Sequence, residues 1–98
     1  MIDPDKIIPL VADFFHVGPL KLVAAGRRNS VCESRHVAMY LMRLHTNLSL
    51  EEIGIRFNRD HTTIVHAVHR IAEAVEKKTL LGQQALMLSN DLMKAVTA

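Results

Sequence analysis

Apolar residues recur at intervals of three and four along nearly the whole chain, the period of one face of an α-helix. Ile7, Ile8, Leu10, Val11, Phe14 and Phe15 form the first stripe. Asp3 or Asp5 is placed to cap it, Pro4 suits a first-turn position, and Pro9 predicts a regular helix that starts later or bends there. Gly18 and Pro19 close that segment, and a short second helix is expected over Leu20 to Ala25, stopped by Gly26. A basic loop, Arg27-Arg28-Asn29-Ser30, follows. Val37, Leu41 and Leu44 set the stripe of a long third helix from Val31 to about His45, which Thr46-Asn47 breaks. Further along, Ile64, Val68, Ile71 and Val75 mark a fifth helix, and Leu81, Ala85, Leu88, Leu92 and Val96 a last one.

Between the third and fifth stripes the polar residues carry the signal. Ser49-Leu50-Glu51-Glu52 is a capping box, in which the Ser49 hydroxyl and the Glu52 carboxylate each satisfy a backbone amide of the other. It starts a short fourth helix running to about Phe57. Asn58-Arg59 makes a tight turn, and Asp60 is a good cap for the fifth helix. Lys77-Lys78 complement the negative end of that helix dipole, and Thr79 caps the last helix. No strand-like alternation, Asn-Gly or Asp-Gly hairpin, repeat or linker interrupts this order. The fold class is therefore all-α: a compact bundle of about six helices in one domain, residues 1–98, with a candidate binding core over residues 26–78.

Net charge adds little, since Lys and Arg exceed Asp and Glu by 12 to 10. Distribution adds more: nine of the 12 basic residues lie between Arg27 and Lys78, against six acidic ones. Cys32 is the only cysteine, so no intramolecular disulfide can form, and a reducing cytoplasm is the expected home. The acidic Asp3 and Asp5 stand where a signal peptide would be basic, and no apolar run approaches the roughly 18 residues of a membrane span.

Two short helices joined by a tight turn, Leu50 to Phe57 and Asp60 onward, make a helix-turn-helix, with Gly54 permitting close approach. At the start of its second helix, His61-Thr62-Thr63 offer short polar groups suited to the major groove, and Asp60 can accept from a cytosine amino group. The same residues also suit mere capping of the helix. Arg27 and Arg28 in the loop, and Arg35 and Arg43 on the third helix, are candidate phosphate clamps, and loop arginine also suits a narrow minor groove. Arg43 lies two turns beyond Arg35, so both face one DNA backbone only if the helix tilts along it. A solvated loop is the plainer reading of Arg27 and Arg28.

Competing chemistries fare worse. His66 and His69 lie three apart on one helix face, but two ligands are too few for zinc, and no metal or other cofactor is expected. No nucleophile, base and orienting group emerge around Cys32, so no enzyme is expected. The rival from another class is a helical protein-interaction module, in which the stripes Ile7 to Phe15 and Leu81 to Val96 dock a foreign helix; a chain this small needs both for its own core.

Three strings, Ser34-Arg35-His36-Val37-Ala38-Met39-Tyr40-Leu41, Leu48-Ser49-Leu50-Glu51-Glu52-Ile53-Gly54 and Arg59-Asp60-His61-Thr62-Thr63-Ile64-Val65-His66-Ala67, together resemble the C-terminal DNA-binding domain of the bacterial replication initiator DnaA. The resemblance covers about Arg27 to Ile71 and is carried most specifically by Arg-Asp-His-Thr-Thr. It implies a Trp-repressor-like helix-turn-helix that binds double-stranded DNA at a DnaA box as a monomer. Asp60, His61 and Thr62 would address base edges in the major groove and Arg27 the minor groove, with Arg28 its neighbour. Arg35, His36, Arg43, Leu50 and Thr63 would hold phosphates through side chains or backbone amides. A transcriptional regulator with the same reading head is the nearest alternative.

The chain departs from that family in three ways. Phe57-Asn58-Arg59 has one residue where the family usually has two glycines, which shortens the turn and predicts a shifted box preference. Glu51 stands in place of a common proline, and Glu33 lies in a stretch that is often basic, so affinity is expected to be lower. No G-x-x-x-x-G-K-[ST] phosphate loop is present, so neither nucleotide binding nor a complete initiator is expected; the chain reads as an excised domain or a stand-alone relative.

Overall fold

The computed structural model describes residues 2–24 and 29–97, with residues 29–30 and 96–97 described by backbone alone. A 3₁₀ turn, Pro4–Lys6, leads into α1 (Ile7–Phe15), α2 (Pro19–Val23), α3 (Asn29–His45), α4 (Leu50–Phe57), α5 (His61–Glu76) and α6 (Leu80–Thr97). Helices are the only extended elements among the described residues.

The local chemistry explains the boundaries. Asp3 caps the 3₁₀ turn by accepting from the Asp5 amide at 2.9 Å. Contrary to the expected delay, α1 begins before Pro9, which occupies its third position. First-turn amides have no intrahelical acceptor, so proline sacrifices no hydrogen bond there. His16, in the left-handed conformation, ends α1, and Gly18 precedes α2 with Pro19 at its first position. The second helix is correspondingly shifted and shorter than expected, ending at Val23. Its expected stop at Gly26 lies outside the described residues. α3 starts two residues earlier than the expected Val31, at Asn29.

α3 and α5 form the centre, packed on each other and flanked by α1, α4 and α6. Val37, Leu41, Ile53, Phe57, Ile64, Ile71 and Leu88 are all at most 1% exposed, which makes one continuous core. The stripes once available to a foreign helix are mostly spent: Ile7, Val11, Ala85, Leu88 and Leu92 lie in that core, with Phe14, Phe15 and Leu81 packed against it. α6 closes over the end of α5 through Gly82, where an added Cβ would lie 2.1 Å from the Ala74 carbonyl oxygen. No helix among the described residues is long and apolar enough to cross a membrane.

Candidate nucleic-acid interface

The helix-turn-helix is built as its residues dictate. Ser49 Oγ accepts from the Glu52 amide and Glu52 Oε1 from the Ser49 amide, each at 3.1 Å, completing the capping box of α4. This network also holds the Glu52 carboxyl below the usual range, the Ser49 backbone bond foremost. At the other end Asn58 adopts φ 54, the left-handed conformation, and the Arg59 amide returns to the Gly54 carbonyl at 2.8 Å. Gly54 is required there, because a Cβ would stand 2.5 Å from the Arg59 oxygen. One asparagine thus closes a turn for which glycine is the usual residue.

Beyond the turn, Asp60, His61, Thr62 and Thr63 are all exposed at the start of α5. Asp60 was expected to cap this helix, but its side chain makes no capping bond. Its Oδ1 instead lies 3.1 Å from His61 Nδ1, and the carboxyl is held below its usual pKa by Thr62 first and then by His61. The carboxylate therefore remains on the surface beside the two residues expected to read bases. The first amides of a helix also form a partial positive end that attracts phosphate.

Around this end the predicted backbone contacts divide. Arg43 is exposed, and His36, seven residues earlier on α3, shares its face while half-buried. Leu50 is half-buried at the start of α4, and Thr63 is exposed. Arg35 corrects the expectation of a phosphate clamp: it is 3% exposed, and its guanidinium donates to the carbonyls of Leu22 at 2.6 Å, Lys21 at 2.9 Å and Ala24 at 3.2 Å. A position eight residues from Arg43 on a helix is rotated by about 80°, which turns it from the surface into the seam with α2. Arg27 and Arg28 lie outside the described residues.

The sequence assigns no DNA contact to two further arginines, Arg59 and Arg70, although Arg70 reads with His66 and His69 as extending the polar side of the fifth helix or as solvated. Arg59 bends inward, donating to the Phe57 carbonyl and, at 2.9 Å, to the Ala24 carbonyl that Arg35 also engages. Arg70 on α5 reaches back to α3, 3.0 Å from His36 Nδ1 and 3.5 Å from Glu33. The bonds of Arg59 to Ala24 and of Arg70 to His36 have no local signal, since they span 35 and 34 residues. His66 and His69 are exposed on α5, and no cluster of three metal-ligating side chains occurs among the described residues.

Residues 4–71 match the family model described as the bacterial dnaA protein helix-turn-helix. The chromosomal replication initiator protein DnaA of Oleidesulfovibrio alaskensis is 37% identical over 90 residues, 92% of this chain and 20% of that protein. The DnaA of Thermus thermophilus is 45% identical over 75 residues, 76% of this chain and 17% of that protein. The chain thus spans about a fifth of the length of the relatives it matches. Among solved structures, a DNA replication initiation factor superposes with TM-score 0.79 at 32% identity, over 92% of this chain and 28% of that one. AMPPCP-bound DnaA from Aquifex aeolicus does so with TM-score 0.75 at 29% identity, over 95% and 28% respectively. With the motif strings, the helix order and the family match in agreement, the chain belongs to the family of bacterial DnaA helix-turn-helix domains.

Proposed function

We propose that this domain binds double-stranded DNA sequence-specifically at DnaA-box-like sites, in replication initiation or its regulation, as a monomer and with no ATPase activity of its own. The observation that carries the reading is the exposed Asp60-His61-Thr62-Thr63 group at the start of α5, held out by a turn whose backbone is closed on Gly54. In this reading Asp60, His61 and Thr62 address base edges in the major groove. Arg27 enters the minor groove with Arg28 beside it. His36, Arg43, Thr63 and the Leu50 amide contact phosphates and fix register. Arg35 is left out of this set, because its donors serve the fold. In this reading the domain works in the bacterial cytoplasm, on the chromosome, a setting that the family membership supports.

Fluorescence anisotropy on a labelled DnaA-box duplex and a scrambled one, across a salt series, tests the reading. The box should bind at least about tenfold more tightly, with affinity falling steeply as salt rises. His61→Ala or Thr62→Ala should reduce the difference between the duplexes by about 1 to 3 kcal/mol. Arg43→Ala should weaken both equally and reduce the salt slope by about one. Equal, weak binding of the unaltered chain to both duplexes would overturn the proposal.

A further inference from the structure

Away from the start of α5, polar side chains join α5 to α3 at a second place. His36 is half-buried on α3, and Nη1 of Arg70 lies 3.0 Å from its Nδ1. Nη2 of the same guanidinium lies 3.5 Å from Glu33 Oε2, three residues before His36 on α3. A guanidinium has donors and no acceptor, so Nδ1 is the accepting nitrogen of the ring and Nε2 carries its proton. The surroundings favour a neutral ring. Burial foremost, then Arg70 from α5, Arg35 from α3 and Arg59 from the turn hold His36 below the usual imidazole pKa. Glu33 is the acidic group of this cluster, and it is paired with Arg70.

We propose that Arg70 is a positioning residue for DNA binding: steadied by Glu33, it locks His36 as the Nε2–H tautomer, a neutral donor for a phosphate oxygen. The inference rests on reading His36 as a backbone-contact residue. It gives Glu33 a second effect beside repulsion of phosphate, since its charge orients the arginine that orients the imidazole. A neutral donor also contacts phosphate without proton uptake, and because it neutralises no charge it adds little to counterion release.

Long-range ¹H–¹⁵N correlation spectra of the histidine rings in the free chain test the first half. His36, assigned by its absence in His36→Ala, should be a single Nε2–H tautomer at neutral pH. Arg70→Gln should give mixed tautomers, and Arg70→Lys, which keeps a cationic donor, should restore one. Arg70 is 47% exposed at its side chain, so these changes spare the core. On the box duplex, Arg70→Gln should weaken binding by about three- to tenfold, and by less than about twofold when His36 is already alanine. His36 protonated on Nδ1 in the unaltered chain would overturn the assignment. Equal losses in both backgrounds would also overturn it, making Arg70 a DNA ligand in its own right. If the unaltered chain shows no box preference, the DNA reading and the phosphate half of this proposal fall together, while the ring spectra still decide whether Arg70 sets the tautomer.

Discussion

Burying a guanidinium costs free energy unless its donors find acceptors, and Arg35 meets that condition with the carbonyls of Lys21, Leu22 and Ala24 at the end of α2. Arg35→Met should therefore lower stability by about 2 to 4 kcal/mol in urea unfolding. Arg35→Lys should recover less than half, because one ammonium cannot span three oxygens. An unchanged midpoint for Arg35→Met would return Arg35 to the surface role its sequence position first implies. Asn58 presents the opposite case, a residue tolerated where glycine is better. At φ 54 it bears a left-handed backbone with a Cβ attached, so Asn58→Gly should stabilise the domain by about 0.5 to 1 kcal/mol. Thermal unfolding followed by circular dichroism reads this directly, and a fall in melting temperature would assign the Asn58 side chain a contact of its own.

Helices were legible wherever their cause is local. The Ser49 to Glu52 capping box, the stripe of α5 and the Ala85, Leu88 and Leu92 face of α6 needed only neighbours within a turn or two to be recognised. Pro9 misled because its effect depends on how many turns precede it, and the second helix because Pro19 can open a helix as well as close a segment. Gly82 gave no signal, since nothing in Leu80-Leu81-Gly82 announces a carbonyl eight residues back. Yet the seating of α6 depends on it. Gly82→Ala places a Cβ against backbone rather than against a side chain that could swing away, so α6 must lift from α5. A loss of about 3 kcal/mol or more is expected. Stability unchanged within about 0.5 kcal/mol would mean that α6 slides without cost.

Over the whole domain, acidification acts through two half-buried rings. His36 and His45 both titrate below the usual imidazole value, burial being the first cause for each, and His45 Nε2 lies 2.6 Å from Ser89 Oγ on α6. Below roughly pH 6.5 the unfolded chain binds protons that the folded one refuses. Their contribution is thus whole above that pH and is lost as pH falls through the folded values. The melting temperature should drop between about pH 7.5 and pH 5.5, and His45→Asn should flatten the drop. A melting temperature that climbs on acidification would exclude this account. The candidate interface was legible to a different depth than the fold. Residues 60–63 announce themselves as a polar string at a helix start, whereas the inward turns of Arg35 and Arg59 follow from tertiary partners 11 to 35 residues away. Both guanidinium groups end on the Ala24 oxygen at the C-terminal end of α2. That shared oxygen is one mooring for two tethers, α3 through Arg35 and the helix-turn-helix through Arg59, so slackening either arginine should loosen the hold of the other on the end of α2.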